Sequence, residues 1–126
     1  MVCMLDHVTI AVSDVTQSKA FFDDVLRCLG VERLYAEGED FAGYGANGKA
    51  FFWIGLKDTV LTGCHVAFTA PNRDAVDAFH KAAIAAGGRD NGQPGVRPHY
   101  HESYYGAFIL DPDGHNIEAV CHKPAE

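Results

Sequence analysis

LDHVTIAVSDVTQSKAFFDDVLRCLG, residues Leu5–Gly30, returns in altered form as GCHVAFTAPNRDAVDAFHKAAIAAGG, residues Gly63–Gly88. A shift of 58 residues places His7 on His65, Val8 on Val66, Ala20 on Ala78, Phe21 on Phe79 and Gly30 on Gly88. Each copy opens with an apolar, β-branched run, Leu5–Val12 and Gly63–Pro71, which reads as a buried strand. A helix follows in each. In the first, Val15, Phe21, Phe22, Val25, Leu26 and Leu29 recur at helical spacing, with Ser13 or Asp14 as N-cap and Gly30 as the stop. In the second, Asn72–Gly88 is an Ala-rich helix.

Short strand candidates come next. Glu32–Glu37, Phe41–Ala46 and Ala50–Leu56 are parted by Gly- and Asn-containing turns. The second copy runs through an irregular stretch, RDNGQPGVRPHYHES, before strands at Tyr104–Leu110 and Asn116–His122. Both halves read as β-α-β-β-β, and a repeat of this kind marks architecture more firmly than local propensity. The expected fold is α+β: one domain over 1–126, with repeats at about 4–57 and 62–123 and the helices on one side of the sheets.

A chain of 126 residues with 48% apolar and 21% charged residues is long enough to bury a core as one domain. The net charge of −7 lacks the clustered basic surface that nucleic acid or an anionic membrane requires. No apolar run is long enough to span a bilayer. The opening MVCMLDHVTI shows neither a basic leader nor a cleavage site, so the expected compartment is the cytosol. Cys3, Cys28, Cys64 and Cys121 form no CxxC or zinc spacing and read as small buried hydrophobes.

Period-two alternation assigns the faces of the strands. Val8, Ile10 and Val12 should pack on the helices, which sends His7 and Thr9 to the opposite face. Val66 and Phe68 do the same for His65. Ile117, Ala119 and Cys121 do so for Glu118, in the stretch LDPDGHNIEAV. Each of these side chains has an ordinary alternative: a hydrogen-bonded filler for a histidine, an arginine partner for the glutamate. Two histidines at one position of a repeat, with a carboxylate on the same side, instead suit a divalent ion of iron, manganese, nickel or zinc.

These segments, together with the DPDGHNIE motif, resemble the vicinal oxygen chelate superfamily of glyoxalases, bleomycin-resistance proteins and extradiol dioxygenases. The resemblance implies paired βαβββ modules curved into a cup around a divalent metal, with His7, His65 and Glu118 as its ligands. It also implies a homodimer, with His7 of one chain sharing a site with His65 and Glu118 of the other; two-fold pairing is the commonest assembly. The fourth strand, AFFWIGL, offers no fourth ligand of the glyoxalase I kind, but Trp53 would give the pocket an aromatic wall. Phe108 stands where the extradiol signature has tyrosine. Thr9 matches a threonine of the fosfomycin-resistance enzymes.

The segment RPHYHESYYG concentrates Arg97, His99, Tyr100, His101, Tyr104 and Tyr105. Arg97, His99 and Tyr100 are candidates for binding substrate, with Thr9 and Trp53. His101, Tyr104 and Tyr105 are candidates for moving protons near neutral pH. The alternative for the whole segment is a surface hairpin. The resulting expectation is a metal-dependent enzyme acting on a small molecule with neighbouring oxygen atoms, by dioxygenase-like or lyase- and isomerase-like chemistry. The rival is a metal-free protein that sequesters a drug or metabolite.

Overall fold

The computed structural model describes residues 5–36, 38, 40–56 and 63–124. Cys3 therefore lies outside the described residues. The elements run β1 (Val8–Val12), α1 (Val15–Arg27), β2 (Glu32–Tyr35), β3 (Phe41–Ala46), β4 (Lys49–Leu56), β5 (His65–Thr69), α2 (Arg73–Ala85), β6 (Arg89–Val96), β7 (Tyr105–Leu110) and β8 (Asn116–Cys121). They make two four-stranded mixed sheets, ordered β1-β4-β3-β2 and β5-β8-β7-β6, one from each repeat. In each sheet the first strand pairs in parallel with the last and forms an edge.

Both helices start where the sequence provides a cap. The Asp14 carboxylate accepts from the Gln17 amide at 3.0 Å, and the Asn72 side-chain oxygen accepts from the Ala75 amide at 2.8 Å. The buried face of α1 is Val15, Ser18, Phe21, Phe22, Val25 and Leu26. These pack on Tyr44 and Phe52 of the first sheet, with the Phe22 and Phe52 rings edge to face, their centroids 5.2 Å apart. Phe52 also meets Phe68 of the second repeat edge to face at 5.1 Å, so one apolar core spans both modules. Gly88 is the close point of that core: a Cβ there would stand 2.9 Å from the Phe21 ring and from a carbonyl oxygen.

Two elements depart from the sequence reading. Residues 89–96, read as irregular, form β6. Their Gly and Pro content lowers strand propensity, but β6 is an edge strand, where proline is tolerated and the ladder can break. Its register against β7 shifts twice, between Asp90 and Gly92 and between Gly92 and Gly95. The strand expected from Leu5 begins only at Val8, a difference that bears on His7 below.

Candidate metal and substrate site

The alternation places the site residues. In β5, Phe68 is buried and His65, Ala67 and Thr69 are exposed; in β1, Ile10 and Val12 are buried and Thr9 is exposed. His7 and His65 border one cleft of about 490 Å³, lined by residues of the edge strands β1 and β5 and by Phe51 and Phe52 of β4. Glu118 stands one strand behind, on β8, paired in register with Ala67.

Glu118 is only 1% exposed, and both of its oxygens are engaged. Oε1 lies 2.8 Å from Nε2 of His65, and Oε2 accepts from the Tyr104 hydroxyl. A buried carboxylate needs such donors, because unpaired it would carry a large desolvation cost. The same 2.8 Å spacing suits two ligands in adjacent positions of one ion. Bonds of about 2.1 Å meeting at a right angle set their donor atoms about 3 Å apart.

His7 presents its Nδ1 to Asp6 Oδ2 at 2.8 Å. Within one chain, no group of three His, Cys, Asp or Glu side chains among the described residues is arranged to hold a metal. His65 and Glu118 converge, and His7 faces the same cleft without completing the trio.

The DPDG turn is held by local bonds and tied to β1 by long-range ones. Asp111 Oδ1 accepts from the amides of Asp113 and His115 at 3.0 and 2.8 Å, and Gly114 takes the left-handed conformation at φ 85°. The Asp113 carboxylate accepts from the Ser13 amide at 3.2 Å, and Nε2 of the fully buried His115 donates to the Ala11 carbonyl at 2.8 Å. The turn that starts the Glu118 strand is thus fastened to the end of β1. His115 was not among the sequence candidates, although it sits in the DPDGH motif.

The segment from Arg97 to Tyr105 divides between two faces. Tyr104 turns inward onto Glu118. Burial first, and then the Glu118 carboxylate, raise its phenol above the ordinary value, so it stays protonated as a donor and is not a base. Gly106 makes this possible: a Cβ there would lie 3.2 Å from the Tyr104 ring and 3.4 Å from Glu118 Oε2.

Tyr105 goes the other way. At the first position of β7, its hydroxyl donates to Asp77 of α2 at 2.6 Å, on the helix side of the sheet and away from Glu118. Arg97 folds back onto the carbonyls of Gly95 and Gln93 at 2.8 and 2.7 Å and over the Phe108 ring. Phe108 in turn lies 6.1 Å from the His65 ring. His99 packs on Tyr100, which is exposed and leads on to Tyr104.

His101 is paired, ring against ring at 4.7 Å, with His122, and its Nε2 faces Nδ1 of that histidine. Both rings also touch Tyr104 edge to face. His122 escaped the sequence reading, yet the signal was present: Glu118, Val120 and His122 alternate along one face.

On the first sheet Trp53 sits beside Thr9 in the β1–β4 register. Tyr35 stacks on it at 5.6 Å and Phe41 leans against it at 5.9 Å. Gly43 lies beneath, where a Cβ would be 2.7 Å from the indole. Tyr35 and Phe41 remain 51% and 40% exposed, so this aromatic patch is open on the face away from the helices.

Comparison with known proteins places this architecture. Residues 4–119 match the family model of the Glyoxalase/Bleomycin resistance protein/Dioxygenase superfamily. A glyoxalase/bleomycin resistance protein from Albidiferax ferrireducens T118 is 30% identical, with TM-score 0.83 over 94% of this chain and 99% of that one. A glyoxalase/bleomycin resistance protein/dioxygenase family enzyme from Burkholderia phytofirmans PsJN shares the fold at 22% identity and TM-score 0.73, over 96% of this chain and 100% of that one. So does the fosfomycin resistance protein FosX from Listeria monocytogenes, solved with Mn(II) and 1S,2S-dihydroxypropylphosphonic acid. There the identity is 22% and the TM-score 0.69, over 95% of this chain and 90% of that one. Among curated proteins none matches this sequence. The chain belongs to the glyoxalase/bleomycin resistance/dioxygenase superfamily.

Proposed function

We propose that this member of the glyoxalase/bleomycin resistance/dioxygenase superfamily is a metal-dependent enzyme acting on a small molecule with neighbouring oxygen atoms. The observation that carries the reading is the pairing of His65 Nε2 with Glu118 Oε1 at 2.8 Å, beside a cleft that His7 also lines. Two imidazoles and one carboxylate fit Fe, Mn, Ni or Zn and leave positions open for oxygen donors. Such an ion would supply Lewis acidity toward two adjacent substrate oxygens.

The protein's own groups do the rest. Tyr104 holds Glu118 by one oxygen and leaves the other turned toward His65. Phe51 and Phe52 give the apolar body of the substrate a wall within the cleft, and the Trp53 patch beside Thr9 offers a further apolar surface on the first sheet. The His101–His122 pair, reached from Glu118 through Tyr104, is the group best placed to take or return a proton. With each chain bringing only two ligands together, the third is supplied in a homodimer, His7 of one chain closing the site of the other.

Elemental analysis of protein purified without added metal, together with light scattering, tests this reading. The expected result is one divalent ion per chain in a dimer. A metal-free monomer that still binds an aromatic ligand would favour the second reading, a sequestering protein, for which the open Tyr35–Phe41–Trp53 patch is the specific support.

A further inference from the structure

His7 does not stand in a regular strand. β1 begins at Val8, so Asp6 and His7 precede it in backbone without strand geometry. A regular strand would send adjacent side chains to opposite faces. Here they meet instead, Asp6 Oδ2 to His7 Nδ1 at 2.8 Å. The other oxygen of the same carboxylate, Oδ1, binds the Lys49 ammonium at 2.6 Å, at the start of β4. The three groups form a chain running from β4 to the cleft: Lys49 anchors Asp6, and Asp6 holds His7.

We propose that Asp6, tethered by Lys49, fixes the His7 imidazole as the Nδ1–H tautomer and so presents the Nε2 lone pair to the cleft. Asp6 is then a positioning residue for a ligand, one that neither the repeat nor the family resemblance marked. The physical argument is short. A carboxylate only accepts hydrogen bonds, so the neutral imidazole beside it must carry its proton on Nδ1. Lys49 on Oδ1 keeps the other oxygen of the carboxylate turned to the His7 ring. Histidine ligands commonly donate their second N–H in this way, and the partner aligns the ring and raises its basicity. His65 contrasts with His7: its Nε2 is directed by Glu118, itself a ligand in the proposed site.

The consequence for metal rests on the proposed function; the tautomer does not. The test therefore has two arms, on wild type, Asp6→Ala and Asp6→Asn. In the metal-free proteins, long-range proton–nitrogen NMR of labelled imidazoles reads the tautomer. His7 should be Nδ1–H in wild type and in Asp6→Asn, whose amide oxygen still accepts, and should shift to mainly Nε2–H in Asp6→Ala with His65 unchanged. In the second arm, calorimetric titration with Mn²⁺ should show affinity falling about 10–100-fold in Asp6→Ala, and less in Asp6→Asn. An unchanged His7 tautomer in Asp6→Ala overturns the proposal. A shifted tautomer with undiminished Mn²⁺ affinity overturns its role at the metal. If wild type takes up no Mn²⁺ the metal reading fails, and the NMR arm alone decides what Asp6 does.

Discussion

Replacing Glu118 by glutamine should separate stability from function. The side chain is 1% exposed and accepts from His65 at 2.8 Å and from Tyr104. Glutamine keeps the shape and one acceptor oxygen but removes the charge. In the metal-free protein two effects then oppose each other. One of the two bonds loses its charge assistance and the other must turn round, with the Tyr104 hydroxyl accepting from the amide, at about 1 kcal/mol apiece. Against that, burying a carboxylate costs several kcal/mol, a cost the amide largely escapes. The desolvation term is the larger, so Glu118→Gln should melt at or above the wild-type temperature after chelation.

Metal binding should move the other way. Losing only a partner of a ligand costs about 10–100-fold in affinity, so losing the charge of the ligand itself should cost more than about 100-fold. Thermal unfolding in chelator and calorimetric metal titration give the two numbers. A variant that melts lower than wild type yet binds metal as well would refute the reasoning. Glu118 would then be a structural carboxylate.

Three further substitutions probe the surroundings of the site. Tyr104→Phe leaves Glu118 Oε2 without its donor and should destabilise by about 1–3 kcal/mol in urea unfolding; Tyr104→Phe combined with Glu118→Gln should cost less than the sum of the two singly. Gly106→Val puts atoms where a Cβ already stands 3.2 Å from the Tyr104 ring; it should displace that ring and weaken metal binding in the same titration, with the far sheet unaffected. Gly43→Ala places a methyl 2.7 Å from Trp53, the chain's single tryptophan. Its fluorescence should shift toward the red as the indole leaves the Tyr35 stack, and an unshifted spectrum would mean that Gly43 is not what seats the ring.

What could be read from the sequence was set by periodicity. Alternation in β5 and β8 put His65 and Glu118 on the face away from the helices, and the duplicated spacing paired His65 with His7. Alternation fails where backbone leaves the regular strand. His7 lies just before β1, so its ring is directed by a neighbour, Asp6, that a strand reading would send to the far face. It fails again at β6, where Gly92, Pro94 and Gly95 hide an edge strand whose pairing comes from β7.

The remaining site residues depend on contacts that no local pattern encodes. Tyr104 reaches Glu118 across the space that residue 106 leaves by lacking a side chain, while Tyr105, equal to it in sequence terms, is claimed by Asp77 on α2. The pairing of His101 with His122 crosses from a loop to the end of β8. The placement of His65 and Glu118 thus follows from strand parity, whereas the groups that orient them come from glycine gaps and chain crossings. Substitutions among the orienting groups should therefore change affinity and pH response while leaving the fold in place. Substitutions at the buried alternate positions, such as Ile117 and Ala119 of β8, should do the reverse.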